Sequence, residues 1–169
     1  LAIAGNKLYV VSEFGTNKTF VIDIDSQSSN YNTIIDTVPV QLSAYDVVSS
    51  EYGSYVYVSH PTQEGKVSII DTSSDTLLNQ IIIRGAEESE EINKNPRGMA
   101  VSGNILYVAN FGDNTVTMIN TQSNSKLNLG SLLISGGANP ENMVVSPDGT
   151  KLYIVHSSMI AGSVEILGY

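Results

Sequence analysis

Two histidines, His60 and His156, are the only imidazoles in this chain of 169 residues, which has no cysteine. Each stands three residues after a tyrosine, Tyr57 or Tyr153, so the two occupy the same slot in two copies of one short apolar segment. Paired imidazoles could hold a metal or haem, or serve as general bases. Against that, two imidazoles two repeats apart lack a third ligand by spacing. The same slot holds Ser12 and Asn110 elsewhere. A slot that accepts Ser, His and Asn reads first as one that hydrogen-bonds its neighbouring loop.

A second candidate set is acidic: Glu87, Glu88, Glu90 and Glu91 within GAEESEEINKNP, residues 85–96. Long insertions in repeat proteins are where recognition concentrates, although a run of like charges can also be a merely solvated connector. Calcium needs several oxygens at fixed spacing, and no D-x-D-x-D-G run is present. The sequence therefore calls for no cofactor, with Ca²⁺ the one ion its oxygen-rich loops suggest. A third set, Asp46, Arg97, Glu141 and Asn142, falls where successive repeats begin. Converging acid and amide groups there could bind a metal, or simply cap backbone donors at the strand starts. Nucleophile and phosphate motifs are absent: no G-x-S-x-G, H-E-x-x-H, Walker loop or G-x-G-x-x-G occurs.

These candidates recur because the chain itself recurs. KLYVVS (7–12), YVYVSH (55–60), ILYVAN (105–110) and KLYIVH (151–156) place tyrosines at Tyr9, Tyr57, Tyr107 and Tyr153, at spacings near the length of a four-stranded propeller blade. Upstream of each lies an apolar strand, A, joined to the tyrosine strand, B, by Gly5-Asn6, Tyr52-Gly53, Gly103-Asn104 or Asp148-Gly149, pairs suited to a two-residue hairpin. A third strand, C, follows at TFVIDI, VSIIDT, VTMINT and SVEILG, ending in Asp23, Asp71 or Asn120 in the first three units. Such side chains bond backbone two residues on and start a turn. A fourth strand, D, reads at 32–40, 76–85 and 126–135. Apolar runs such as MVV and IIIR predict sheets covered on both faces, and nothing reads as helix.

The expected fold is an all-β propeller of four-stranded antiparallel blades, three full and one truncated, at about 1–40, 41–95, 96–139 and 140–169. Both ends are expected to fall inside blades, so the arc reads as part of a larger ring completed by further blades of the chain or by a second copy. The balance of 8 Lys and Arg against 17 Asp and Glu, net −9, argues against nucleic acid and anionic membrane surfaces as partners. No apolar run approaches the roughly 18 to 20 residues of a membrane-spanning helix.

The segments PENMVVSPDGTKLYI (140–154), VSIIDT (67–72) and LYVAN (106–110) resemble the YVTN family of β-propeller repeats across essentially the whole chain. The family's Asn is kept only at Asn110, with Ser12, His60 and His156 at the other three positions. The resemblance implies an exported, cell-surface or surface-layer protein. The expected function is non-catalytic recognition of a protein or glycan, or scaffolding, on a face made by the D-to-A and B-to-C connections: Glu87, Glu88, Glu90, Glu91, His60, Asn110 and His156. The alternative is a metal-dependent, lactonase-like hydrolase or a cofactor-binding propeller with its site at the channel mouth, near Asp46, Arg97, Glu141 and Asn142.

Overall fold

Alternating and doubly apolar segments leave this chain only one economical way to bury its side chains, which is to stack small sheets face to face. The computed structural model describes residues 1–12, 17–84, 89–127, 132–133, 139–157 and 163–168. The first sheet runs in order β1 (Ala2–Ala4), β2 (Lys7–Val11), β3 (Lys18–Asp23) and β4 (Ile34–Pro39). The second runs β5 (Val47–Ser49), β6 (Tyr55–His60), β7 (Lys66–Asp71) and β8 (Thr76–Ile82). In the third, β9 (Pro96–Ser102), β10 (Ile105–Asn110) and β11 (Thr115–Asn120) are edged by two short pieces, β12 (Ser125–Lys126) and β13 (Leu132–Leu133), which both pair with β11. The fourth has β14 (Pro140–Val145), β15 (Lys151–His156) and β16 (Ser163–Gly168). Every pairing is antiparallel, and all but that of β11 with β13 join neighbours in sequence. The described residues form no helix.

Local chemistry explains the turns. The A-to-B hairpins place glycine in the left-handed region, for instance Gly53 at φ 70° and Gly149 at φ 72°. At the C-to-D turns the side chains of Asp23, Asp71 and Asn120 accept from the backbone N–H groups of Asp25, Ser73 and Gln122 at 2.8 to 2.9 Å, the Asx turn expected from those residue types.

The core lies between the sheets. Tyr9, Val21 and Val38 of the first pack on Val47, Val56, Val58 and Ile70 of the second. Tyr57, Ile69 and Ile81 pack on Met99, Leu106 and Ile119 of the third, and Tyr107, Ala109 and Val116 on Met143, Leu152 and Ile154 of the fourth. Alternate residues of each strand serve opposite seams, which is why the interior strands read as continuous apolar runs. One expectation needs correction. Val144 is not a buried blade-face residue but 60% exposed, because it points to the side of the fourth sheet away from the third.

The seams also carry a polar latch that the sequence reading missed. The Tyr9 hydroxyl donates to Asp75 of the next sheet at 2.6 Å, and the Tyr57 hydroxyl to Asn124 at 2.7 Å. Burial, then the neighbouring Asp75, pushes the Tyr9 pKa far up, so the phenol stays a donor. The repeating tyrosine is thus a tie between blades, and the acceptor is an Asx residue in the left-handed conformation, at φ 52° and 50°.

Candidate functional site

The slot after the tyrosine strand points inward. His60, Asn110 and His156 are all buried, so they are corrected from the binding face to the blade interior. They sit at the ends of β6, β10 and β15, and His60 and Asn110 meet hydroxyls of the paired strand C. His60 Nε2 shares a hydrogen bond with the Ser68 hydroxyl at 2.8 Å, and Asn110 Nδ2 donates to Thr115 and Thr117 at 2.8 and 2.9 Å. Burial lowers the His60 pKa to about 4, against the opposing pull of the Leu42 backbone, so the ring is neutral.

That shift fixes a pH dependence. The unfolded chain, with an ordinary imidazole near 6.5, takes up a proton that the folded chain refuses. The His60 contribution is therefore fully present above about pH 6.5 and is lost as pH falls from there to 4, an effect of about 2 to 3 kcal/mol. Denaturant titrations of the protein and of His60→Asn should diverge in that window and coincide in slope above pH 7. Equal pH slopes for both would show that the loss comes from carboxylates, whose depressed values, such as about 2 for Asp148, act lower on the scale.

The starts of the A strands converge on one polar cluster. Arg97 donates through Nη1 to both oxygens of Glu141 at 2.6 Å, and the Tyr45 hydroxyl donates to the same carboxylate. The guanidinium lies over the Phe111 ring, 3.5 Å from its centre, and 5.3 Å from that of Tyr45. Partial burial works to raise the Glu141 pKa, but the Tyr45 and Arg97 bonds together hold the carboxyl below its usual value. Asp46 serves a seam: its two oxygens accept from Val47 N at 2.8 Å in its own blade and Met99 N at 2.8 Å in the next. Burial pushes the Asp46 pKa up against those two bonds. Asn142 is exposed and caps Met143 N at 2.8 Å. The structure thus brings Arg97 and Glu141 together, with charge already matched, while Asp46 and Asn142 satisfy backbone donors. Among the described residues no three His, Asp or Glu side chains gather as metal ligands.

The loop face is built as the sequence suggests, from the long connection between β8 and β9 lying on the β6-to-β7 loop. Lys94 N donates to Gln63 O at 2.8 Å, Asn95 N to Thr62 O at 3.0 Å, and Gln63 Nε2 to Glu90 O at 2.6 Å. Glu90 and Glu91 are exposed, whereas Glu87 and Glu88 lie outside the described residues. Thr62, Gln63, Glu64, Arg84 and Glu90 line an open, polar depression of about 410 Å³ there. Beneath it is a feature the sequence reading passed over: Lys94 is buried, its ammonium 2.7 Å from Asp113 in the loop after β10. A lone lysine between two asparagines gives no sequence signal of burial, and the Asp113 carboxylate nineteen residues on offsets the cost of burying its charge.

No protein-family model matches the chain, and no curated protein does. Solved structures do. The chain superposes on hydrazine synthase from Kuenenia stuttgartiensis with a TM-score of 0.79 at 20% identity, covering 99% of this chain and 44% of that one. The fold is a β-propeller. A chain of the mitotic checkpoint complex matches with a TM-score of 0.66 at 16% identity, over 90% of this chain and 41% of that one. Apo AztD from Citrobacter koseri matches at 0.57 and 17% identity, over 80% and 35%. This partial propeller therefore spans less than half the length of each of these propeller chains.

Proposed function

We propose that the chain is a non-catalytic recognition module of the YVTN repeat type, exported to the cell surface, whose loop face engages a protein or glycan partner through cationic groups. The observation that carries this reading is the rigid display of the acidic connection: Gln63 and Arg84 both donate to the Glu90 carbonyl, fastening it to the blade while leaving Glu90 and Glu91 in water. A net charge of −9 adds long-range attraction for a cationic surface. That one neighbour of this fold is described as a complex accords with protein partners. The same face could be scaffolding if its partner is a neighbouring surface-layer subunit.

Replacing Glu87, Glu88, Glu90 and Glu91 together by glutamine should weaken partner capture and flatten its salt dependence, since exposed charges are screened beyond roughly 8 to 10 Å at physiological ionic strength. Stability should change by less than about 1 kcal/mol, because solvated loop charges contribute little to folding. Capture from a native extract with unchanged salt dependence would place recognition elsewhere on the propeller.

A further inference from the structure

The hairpins that join strands A and B in the second and fourth sheets are the same turn with one difference. A serine opens each: Ser50 Oγ accepts from Tyr55 N, and Ser146 Oγ from Lys151 N, both at 3.0 Å. The Ser50 and Ser146 carbonyls accept from Gly53 N and Gly149 N at 2.9 Å, with the glycines left-handed at φ 70° and 72°. In the fourth sheet the residue before the glycine is Asp148. Its carboxylate accepts from the Ser146 hydroxyl and from Thr150 N, so the turn is closed by its own side chain. In the second sheet that residue is Tyr52, which is 84% exposed and whose hydroxyl makes no hydrogen bond among the described residues. Local turn chemistry favours aspartate there, and departures of that kind in natural proteins mark functional positions.

The surroundings of Tyr52 are unspent in the same way. It borders a small depression of about 120 Å³ between the second and third sheets, with Glu51, Ser54 and Tyr55 on one side and Asn104 and Gln122 on the other. Glu51, Ser54, Asn104 and Gln122 are exposed, and none of these four side chains makes a hydrogen bond among the described residues. Larger depressions adjoin it on both sides. One, of about 320 Å³, shares Glu51 and reaches Ser102 and Ser146; the other, of about 370 Å³, shares Tyr52 and reaches Asp71 and Ser73. Together they form one polar groove at the end of the sheets opposite the loop face. No lysine or arginine lines it among the described residues. The Thr72 hydroxyl donates to the Gly53 carbonyl at 2.6 Å, so the Tyr52 turn stands on a fixed base. The second and third sheets each have a further sheet packed on either side, so blades bound this depression in both directions.

We propose that this groove binds a neutral oligosaccharide, with Tyr52 as its stacking platform, at a site separate from the loop face. The C–H groups on one face of a pyranose carry partial positive charge and pack on the negative face of a phenol ring, a contact that an exposed tyrosine offers. Sugar hydroxyls both donate and accept. The Glu51 carboxylate accepts from them, while the Asn104 and Gln122 amides can do either. With no cation in the lining and Glu51 beside the ring, sulfated, phosphorylated and uronic sugars are disfavoured. Walls made of hydroxyls and amides suit a polyhydroxylated chain better than an extended peptide, whose side chains need pockets. Because the groove continues past Tyr52 on both sides, its ligand is a chain of several units rather than a single sugar.

Saturation-transfer NMR should detect binding of at least one neutral hexasaccharide of glucose, mannose, galactose, xylose or N-acetylglucosamine at about 1 mM sugar. Tyr52→Ala should weaken that binding by about tenfold and Tyr52→Phe by less than about twofold, because the ring is used and the hydroxyl is not. Asn104→Ala and Gln122→Ala should each weaken it by roughly three- to tenfold. Tyr52→Asp, which copies the turn of the fourth sheet, should abolish binding and melt no lower than the parent. The variant with glutamine at Glu87, Glu88, Glu90 and Glu91 should bind the sugar as the parent does, so the two surfaces are tested independently. Four results would each overturn the assignment: saturation of none of the five sugars, binding that survives Tyr52→Ala, a Tyr52→Asp variant that melts well below the parent, or a Tyr52-dependent preference for a heparin hexasaccharide or an oligolysine peptide over every neutral sugar.

Discussion

Gly98→Ala should cost about 3 kcal/mol of stability, the upper part of the range for overpacking a close-packed site. A β-carbon built on Gly98 would lie 2.6 Å from the Asn142 Cα and 2.8 Å from the Glu141 carbonyl oxygen, and backbone cannot rotate away as a side-chain tip can. The contrast with the equivalent position one blade earlier is instructive. There the strands stand far enough apart for the Asp46 carboxylate to bridge them and accept from Met99 N. At the seam of the third and fourth sheets, β9 and β14 come so near that only hydrogen fits. Because a repeat array transmits strain chiefly to neighbours, amides of β14 and β15 in the variant should exchange faster while those of β6 and β7 keep their protection. For a chain of this size the loss should lower the melting temperature by roughly 6 to 12 °C. An unchanged melting curve would show that the seam can open without penalty.

Gly98 also marks where sequence reading stops. The repeat was legible because its signals are local: tyrosine strands fall near fifty residues apart, Gly-Asn or Asp-Gly pairs open hairpins, and Asp23, Asp71 and Asn120 start turns through a bond two residues long. Asp46, Gly98 and Asn142 even stand at one position of the repeat, each just before the residue that pairs with the tyrosine strand at Val58, Val108 or Ile154. What the sequence could not supply was the spacing between blades, which is set by long-range packing and turns three aligned residues into a bridge, a close contact and a cap. The histidines show the same limit. Their equivalence was visible, but whether the slot faces a loop surface or a seam depends on which side of β6 and β15 is covered. The latch could have been found in the sequence, since Asp75 and Asn124 sit at a fixed offset after strand C. It was obscured because the first turn is five residues longer and carries Asn32 instead.

Lys94→Met should be the most damaging change on the loop face. The Lys94 ammonium is buried, and Asp113, with a side chain 18% exposed, can recover only part of its solvation once the cation is gone. Removing one partner of such a pair costs about 3 to 5 kcal/mol, and partial hydration of Asp113 places this case at about 3. The second change Asp113→Asn removes the stranded charge while keeping an acceptor for the Thr115 hydroxyl, which bonds Asp113 at 2.7 Å. The double variant should therefore recover most of the lost stability in denaturant titration. Function should separate from stability in the same pair. Residues 94 and 95 lace together two loops, through Gln63 and Thr62 on one side and through Phe111 N and Gly112 N on the other. Neutralising the pair keeps those backbone bonds and so keeps Glu90 and Glu91 on display, whereas Lys94→Met alone loosens their support. Partner capture well below the melting temperature should then fall in the single variant and return in the double. If the single variant melts and binds as the parent does, the ion pair is a passenger and the loop is held by its backbone bonds alone.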